Sequence, residues 1–239
     1  MTGEARAGPV ARRWPGLIIF DCDGVVIDSE IIACRVEAEE LTRIGYPIDA
    51  AAVAERFMGR PTPVMLATVE AELGRPLPPD YEATVRRHKF AAYSRELRAM
   101  PGIREALDRL GDLPACVASS SKPETLEHVL GLTGLYDRFA PRIYSTVLVE
   151  RGKPAPDLFL YAARECGVAP GRCVVIEDSL PGVQAGCAAG MTVVGFTGGS
   201  HIGPGHGERL RGAGAGAVFR DMAELPELIR RFGAEAGGG

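Results

Sequence analysis

The sequence predicts an α/β protein: a doubly wound, mostly parallel sheet with an all-α domain inserted into it. One observation is a series of short, continuous apolar runs rich in β-branched residues, namely LIIF, ACVAS, RIYSTV, CVVIE, TVVGF and AVF. Continuous apolar runs are typical of strands that are covered on both faces, whereas half-exposed strands alternate. The other is that helix-like stretches separate most of these runs, and this alternation favours a parallel sheet with right-handed crossovers.

Proline and glycine mark the bounds of the helices predicted around the sheet. Residues 123–134 (PETLEHVLGLTG) and 156–167 (PDLFLYAARECG) each begin at a proline and end at a glycine, and residues 181–190 (PGVQAGCAAG) do the same. Proline suits the first turn of a helix, and glycine suits the position just beyond its last turn. These three stretches are therefore predicted to be helices of the sheet domain.

The stretch from residue 29 to residue 98 interrupts the alternation. Ile31, Cys34, Ala38 and Leu41 recur at helical spacing, and the stretch contains no strand-like run. We therefore predict an all-helical cap domain inserted into a core domain. The predicted cap is 29–98, the core is 15–28 and 99–233, and the segments 1–14 and 234–239 are predicted to be disordered tails.

Composition and charge argue against several classes of protein. The 239 residues are 46% hydrophobic and 24% charged, which is an ordinary balance for a globular chain. The formal net charge of −4 argues against a nucleic-acid partner, and the apolar runs are too short to span a membrane. The six cysteines form no C-x-x-C pair, which favours free thiols in a reducing compartment. We predict a cytoplasmic protein that is a monomer or a weak homodimer.

Polar side chains follow four of the predicted strands at the point where each strand ends. Because ligands of open α/β sheets bind beyond the carboxyl ends of the strands, we expect these side chains to meet at one edge. In chain order they are Asp21 and Asp23 after LIIF, Ser119, Ser120 and Ser121 after ACVA, Lys153 after IYSTVLV, and Glu177 and Asp178 after CVVI.

Four carboxylates at one edge of a sheet repel one another unless cations lie among them. Lys153 supplies one positive charge, and an all-oxygen site of few carboxylates suits Mg²⁺. Magnesium bound in this way usually binds substrate phosphate as well, and serine hydroxyls with backbone N–H groups would complete a phosphate site. Of the two aspartates, one could attack phosphorus while the other protonates the leaving oxygen. Gly24 permits the chain to turn directly after them.

Four ordered stretches, DCDGVVIDSE, VASSSKP, RGKPAPD and VIEDSLPGVQAG, resemble the motifs of the haloacid dehalogenase (HAD) superfamily. The resemblance spans residues 17 to 196 and is greatest to the helical-cap subgroup, which includes β-phosphoglucomutase and sugar-phosphate or phosphogluconate phosphatases. It implies a Rossmann-like core and a Mg²⁺-dependent phosphatase acting on a small phosphate ester, a sugar or sugar-acid phosphate, through an aspartyl-phosphate intermediate.

The same resemblance implies a role for each matching residue. Asp21 resembles the nucleophile, which also binds the metal, and Asp23 resembles the general acid/base that also offers its carbonyl to Mg²⁺. Ser119 resembles the hydroxyl that holds the phosphoryl group. Lys153 resembles the lysine that stabilises the nucleophile and the phosphate. Asp178 resembles the remaining metal ligand, with Glu177 beside it as a direct or indirect ligand. The dehalogenases of the superfamily lack the second aspartate, so Asp23 points to phosphoryl transfer.

Alternative readings remain for several residues. Asp178 could cap the helix that follows it, Ser120 and Ser121 could form a turn, and Lys122 could be either a surface charge or part of the site rim. We predict that Ser119, Ser120, Lys122 and the cap residue Arg60 bind substrate. The alternative for Arg60 is a surface charge that does not reach the substrate. The same two readings, substrate contact or surface charge, apply to His88 and Lys89. For His201, on the glycine-rich stretch GFTGGSHIGPGHG, we expect an exposed loop position, and a position bordering the active edge is the alternative.

Two other functions stay open at this point. A phosphomutase of the β-phosphoglucomutase type would return the alcohol in a new orientation instead of releasing phosphate. The resemblance weakens this reading, because the first cap helix lacks the histidine of that enzyme and has Ala33 near its place. A non-catalytic sensor of phosphorylated metabolites would be expected to lack one of the two aspartates, and this chain has both.

Overall fold

The computed structural model describes residues 15–60 and 62–236, with side chains to residue 233. Within these residues six strands form one sheet in the order β3-β2-β1-β4-β5-β6, and every neighbouring pair is parallel. The predicted fold class is confirmed, and a strand lies within each of the six apolar runs. The strands are β1 Leu17–Phe20, β2 Ala115–Ser119, β3 Ile143–Ser145, β4 Cys173–Glu177, β5 Thr192–Phe196 and β6 Ala217–Phe219.

Strand β1 lies at the centre of the sheet, where the direction of winding reverses. The chain builds β1, β2 and β3 outwards to one side, then crosses to β4 beside β1 and continues outwards to β6. Ile18 and Phe20 pack into one apolar cluster, and Leu17 and Ile19 pack into a second cluster on the other face. Burial on both faces explains the continuous apolar run, and the reversal places a binding crevice beyond the ends of β1 and β4.

Four helices lie between β1 and the rest of the sheet. They are α1 Glu30–Arg43, α2 Ala50–Phe57, α3 Thr62–Leu73 and α4 Tyr81–Glu96. Their inner residues, among them Leu41, Val53 and Val69, form an apolar cluster of their own. Helices α1 and α4 also contribute residues such as Val36 and Tyr93 to a cluster of the sheet domain. The exact limits of the cap at 29 and 98 stay a prediction.

The two segments that connect this helical insert to the sheet domain run side by side. The backbone N–H of Asp28 donates to the carbonyl of Arg98 at 3.1 Å, and that of Met100 donates to Val26 at 2.9 Å. An insert attached by paired segments is held next to the end of β1. The insert therefore lies where it can cover the crevice.

Seven further helices complete the described part of the sheet domain. They are α5 Ile103–Leu110, α6 Pro123–Leu132, α7 Tyr136–Phe139, α8 Asp157–Glu165, α9 Leu180–Ala188, α10 His206–Gly212 and α11 Leu225–Ala236. The three stretches bounded by proline and glycine correspond to α6, α8 and α9. Helix α11 runs to Ala236, so 234–236, which we predicted to belong to a disordered tail, are helical. Apolar residues such as Ile229 pack α11 on the sheet domain and support its continuation. The predicted tail residues 1–14 and 237–239 lie outside the described residues.

Helices long and apolar enough to cross a membrane are absent from the described ranges. All six cysteines are free: four are buried, Cys166 is half-buried and Cys187 is exposed. Cytoplasmic location and the oligomeric state stay predictions.

Candidate active site

A tight turn after β1 presents Asp21 and Asp23 to the crevice. The N–H of Asp21 continues the sheet by donating to Ile176 at 3.0 Å, and the N–H of Gly24 then donates to Ile27 at 2.8 Å. Gly24 has a φ of +79°, which favours glycine, and a Cβ at this position would lie 1.9 Å from Oδ2 of Asp178. The turn therefore requires glycine for its backbone conformation and for the space that Asp178 fills.

Lys153 is buried between two acidic side chains. Its Nζ lies 2.7 Å from Oδ1 of Asp21 and 2.6 Å from Oε1 of Glu177, and only 6% of its side chain is exposed. Burial lowers the pKa of Lys153, but the carboxylates of Asp21 and Glu177 outweigh burial and raise it above its ordinary value. The lysine is therefore charged in the physiological pH range.

Asp21 and Asp178 are buried carboxylates at the ends of neighbouring strands. Burial raises the pKa of Asp21 well above its ordinary value, the charge of Lys153 lowers it, and the other acidic groups raise it further. Burial also raises the pKa of Asp178, and the charge of Glu177 adds to this effect. Both groups therefore resist ionisation in the protein alone, and a bound cation would relieve this resistance.

Asp21, Glu177 and Asp178 each offer an oxygen within 4.8 Å of the others, which suits a single metal ion. An all-oxygen set of buried carboxylates fits a hard divalent cation such as Mg²⁺. Glu177, however, already has contacts at both oxygens, since Lys153 contacts Oε1 and Ser179 donates its N–H and its Oγ to Oε2, each at 2.9 Å. The oxygens of Asp21 and Asp178 are the more available ones.

Serine hydroxyls donate to both oxygens of Asp23; Ser121 was among the side chains expected at this edge, whereas Ser29 was not singled out from the sequence. Oγ of Ser29 donates to Oδ1 of Asp23 at 2.7 Å, and Oγ of Ser121 donates to Oδ2 at 2.8 Å. Ser119 is buried and lies farther away, with its Oγ 3.4 Å from Oδ2. The N–H of Ser121 donates to Oγ of Ser119 at 3.0 Å, so the backbone turns here and brings the Ser121 hydroxyl to Asp23.

Three residues predicted to bind substrate are not part of this cluster. Ser120 and Lys122 are exposed where α6 begins, and Arg60 is exposed on the loop after α2. In the described part of the chain none of the three side chains has a hydrogen-bond or ion-pair partner. A Cβ at Gly59, next to Arg60, would lie 3.7 Å from Pro181 in the first turn of α9. The Arg60 loop therefore lies over the side of the crevice formed by α9.

The capping reading of Asp178 is wrong, because the cap of α9 is Ser179. Its Oγ accepts a hydrogen bond from the N–H of Gly182 at 3.1 Å. The Asp178 side chain points instead toward Gly24 and His201. A Cβ at Gly182 would lie 1.8 Å from Oε1 of Glu177, so this glycine makes room for the buried glutamate.

Lys89 lies in a polar network inside the helical insert, so its reading as a surface charge is wrong. Its Nζ lies 2.8 Å from Oε2 of the buried Glu37, whose Oε1 accepts from the hydroxyl of Tyr81 at 2.8 Å. The charge of Lys89 also lowers the pKa of Glu30, at the start of α1. Burial raises the pKa of Glu30 to about 7, the charges of Asp23 and Asp178 add to this, and His201 and Lys89 oppose it. Glu30 thus belongs to the electrostatic surroundings of the crevice, although the sequence reasoning did not select it.

His201 is buried, which corrects the expectation of an exposed loop histidine. Its side chain is 5% exposed, and its Nε2 lies 3.1 Å from Oδ2 of Asp178. The glycine-rich segment that carries His201 follows β5 and folds back over Gly24. Glycine content suggested an exposed loop, but here the glycines permit close packing.

A family model for haloacid dehalogenase-like hydrolases matches residues 15–190. The 6-phosphogluconate phosphatase of Escherichia coli (strain K12) is 29% identical over 217 residues, which are 90% of this chain and 95% of that protein.

Solved structures of two similar proteins share the fold over most of their length. A conserved haloacid dehalogenase-like protein of unknown function from Agrobacterium tumefaciens strain C58 is 43% identical, with a TM-score of 0.81 over 91% of this chain and 98% of its own. A HAD family hydrolase from Deinococcus radiodurans R1, solved with bound phosphate and sodium, is 35% identical with a TM-score of 0.75, over 93% and 96% of the two chains. The protein is an enzyme, a phosphoric monoester hydrolase, and it belongs to the haloacid dehalogenase-like hydrolases.

Proposed function

We propose that this enzyme is a Mg²⁺-dependent phosphatase that hydrolyses a small phosphorylated metabolite, a sugar or sugar-acid phosphate, through an aspartyl phosphate on Asp21. The observation that carries the proposal is the placement of Asp21 between a buried cation and a buried carboxylate. Lys153 lies 2.7 Å from Asp21 on one side, and on the other Asp178 offers an oxygen within 4.8 Å. Such a carboxylate is oriented by fixed charges, as a nucleophile must be.

The oxygen atoms at the strand ends support a proposal for the metal ligands. Asp21 and Asp178 would hold Mg²⁺ together with the backbone carbonyl of Asp23, and the ion would neutralise charge on the phosphoryl oxygens. Glu177 has both oxygens engaged by Lys153 and Ser179, so its role is to hold the lysine in place. This assigns Glu177 an indirect part in the metal site.

The side chains of the chain itself perform the two half-reactions. Asp21 attacks phosphorus in line with the leaving oxygen, and Lys153 and Ser119 hold the phosphoryl oxygens. Asp23 gives a proton to the departing alcohol and then takes one from the water that attacks the aspartyl phosphate. Ser29 and Ser121 fix the Asp23 carboxylate for both transfers.

The helical insert provides the polar groups that would contact the non-transferred part of the substrate. Arg60 lies on the loop near α9, and the charges of Lys89, Asp23 and Asp178 act on the pKa of Glu30. Sugar hydroxyls are suitable partners for Arg60, Lys89 and Glu30, and a sugar-acid carboxylate suits Arg60 and Lys89. The relative named 6-phosphogluconate phosphatase supports this substrate class, and the similar Deinococcus protein was solved with bound phosphate and sodium.

The test is phosphate release from a panel of sugar and sugar-acid phosphates, with Mg²⁺ and with EDTA. We expect metal-dependent release by the wild-type enzyme and none by Asp21→Asn, whereas Asp112→Asn, at an exposed turn, should retain activity. Rapid acid quenching followed by mass spectrometry should detect a phosphate adduct on the wild-type protein only. Isomerisation of a sugar phosphate without phosphate release would instead establish the phosphomutase alternative.

A further inference from the structure

The segment after β5 contacts Asp178 through two histidines. We call residues 198–206 the histidine loop. Nε2 of His201 lies 3.1 Å from Oδ2 of Asp178, and only 5% and 6% of the two side chains are exposed. Nε2 of His206, where α10 begins, lies 2.5 Å from the backbone oxygen of the same aspartate. The loop thus holds both the side chain and the backbone of Asp178.

The partner of His206 fixes its tautomer. Arg209 donates from its guanidinium to Nδ1 of His206 at 3.0 Å. Since a guanidinium can only donate, Nδ1 must accept, and the ring proton is therefore on Nε2. That proton faces the carbonyl of Asp178, which can only accept. The chain from Arg209 through His206 to Asp178 is thus a series of matched donors and acceptors.

His201 has a single polar contact in the described part of the chain. Its Nδ1 is buried without a hydrogen-bond partner, so the contact of Nε2 with Asp178 is the polar interaction that orients the ring. A buried nitrogen without a partner costs stability, and an apolar side chain would fill the same space without this cost. Core packing therefore does not explain a histidine at this position.

The loop is attached to the segment that leads into the helical insert. Oδ1 of Asp28 accepts from the N–H of Ser200 at 3.0 Å and from its Oγ at 2.8 Å. Close packing on the other side depends on glycine, because a Cβ at Gly199 or at Gly24 would lie 2.7 or 2.8 Å from Cε1 of His201. The imidazole is thus enclosed on two sides and has little freedom to move.

We propose that His201 is a positioning residue for the metal site: it donates to Oδ2 of Asp178 and so turns the other carboxylate oxygen toward Asp21. This inference rests on the proposed function, since it assumes that Asp21 and Asp178 share a Mg²⁺ ion. The outer torsion of an aspartate side chain is broad, so a carboxylate without a fixed donor would rotate away from a binding geometry. Residues that orient metal ligands in this way typically change metal affinity about 10- to 100-fold when they are replaced.

The experiment measures Mg²⁺ binding to the full chain by calorimetry, without substrate and at one pH. We expect His201→Leu to raise the Kd for Mg²⁺ about 10- to 100-fold, and His201→Gln to restore most of the affinity, because its amide N–H can take the place of Nε2–H. His201→Asn is polar but shorter, and we expect it to behave like His201→Leu. The control His88→Gln, on α4 in contact with Glu40, should bind Mg²⁺ like the wild-type protein.

Activity supplies a second readout that separates positioning from stability. In His201→Leu the Mg²⁺ concentration for half-maximal rate should rise, while the rate at saturating Mg²⁺ changes much less. If His201→Leu does not fold, the comparison of the Asn and Gln variants decides the question. An unchanged Kd in all His201 variants, with normal binding by the wild type, would overturn this inference and leave the proposed function standing. No Mg²⁺ binding by the wild-type protein would overturn the proposed function instead.

Discussion

Lys153 and Asp21 form a buried ion pair of 2.7 Å, although 132 residues separate them in the sequence. The same ammonium contacts Glu177 at 2.6 Å, so one cation serves two acidic groups. Because these three charges have almost no contact with solvent, each depends on the others. Asp21, the proposed nucleophile, is therefore held by the same interaction that makes its own burial tolerable.

The first prediction is that Lys153→Met destabilises the fold as well as abolishing activity. Removal of one partner from a buried ion pair leaves an uncompensated charge and typically costs about 3–5 kcal/mol. We expect a loss of this size in the free energy of unfolding, measured by urea denaturation at pH 7.5 in EDTA. Arg151→Met, two residues away, removes an ion pair with Asp157 at the surface and should change stability little. Equal effects of the two substitutions would contradict the idea that Lys153 compensates buried charge.

The sequence predicts the sheet and the acidic cluster at its edge well, for a physical reason. Strands covered on both faces must be continuously apolar, so β1 and β4 stand out as LIIF and CVVIE. Residues directly after such strands must lie at the carboxyl edge, and Asp21 and Asp178 therefore meet in the structure. The apolar pattern and the strand topology together suffice to place these residues, because the hydrogen bonds between neighbouring strands leave the end of each strand little freedom to move.

The contacts made by loops could not be predicted in the same way. Ser29 precedes a helix and looks like an ordinary cap, but its Oγ donates to Asp23 and makes no cap hydrogen bond. His201 follows two glycines and a serine, a composition typical of exposed loops, but the segment folds over Gly24. Such contacts depend on how distant segments pack, and neither periodicity nor residue type in one chain reports that packing.

The second prediction contrasts two glycines that both have positive φ. Gly24→Ala should abolish Mg²⁺ binding and activity, because its Cβ would lie 1.9 Å from Oδ2 of Asp178. Gly74, with a φ of +68°, has no atom within 4 Å of the added Cβ. Gly74→Ala should therefore cost only backbone strain, about 1–2 kcal/mol, and should leave Mg²⁺ binding unchanged. Calorimetry with Mg²⁺ and urea denaturation distinguish the two effects. Normal Mg²⁺ affinity in Gly24→Ala would mean that the crevice adapts and that contact with Asp178 does not matter.

The third prediction concerns Glu30 and follows from its pKa of about 7, against an ordinary value of 4.5. Between these two values the folded state keeps a proton that the unfolded state has lost, so stability falls as the pH rises through this range. Above pH 7 the folded protein bears a glutamate that burial and the nearby aspartates disfavour. Glu30→Gln, which mimics the protonated side chain, should match the wild type near pH 4.5 and exceed its stability at pH 8.

The expected gain at pH 8 is on the order of 1–2 kcal/mol, reduced from the full pKa difference because the residue is half-buried. It should be measured by urea denaturation in EDTA, so that bound cations do not offset the charge. Glu82→Gln is the control, since Glu82 occupies the first turn of α4 as Glu30 occupies that of α1, but is exposed. Both substitutions remove a favourable interaction with a helix N-terminus. The difference in the free energy of unfolding between the two variants therefore reports the effects of burial and of the nearby aspartates. If this difference is the same at pH 4.5 and pH 8, Glu30 titrates like an ordinary surface glutamate.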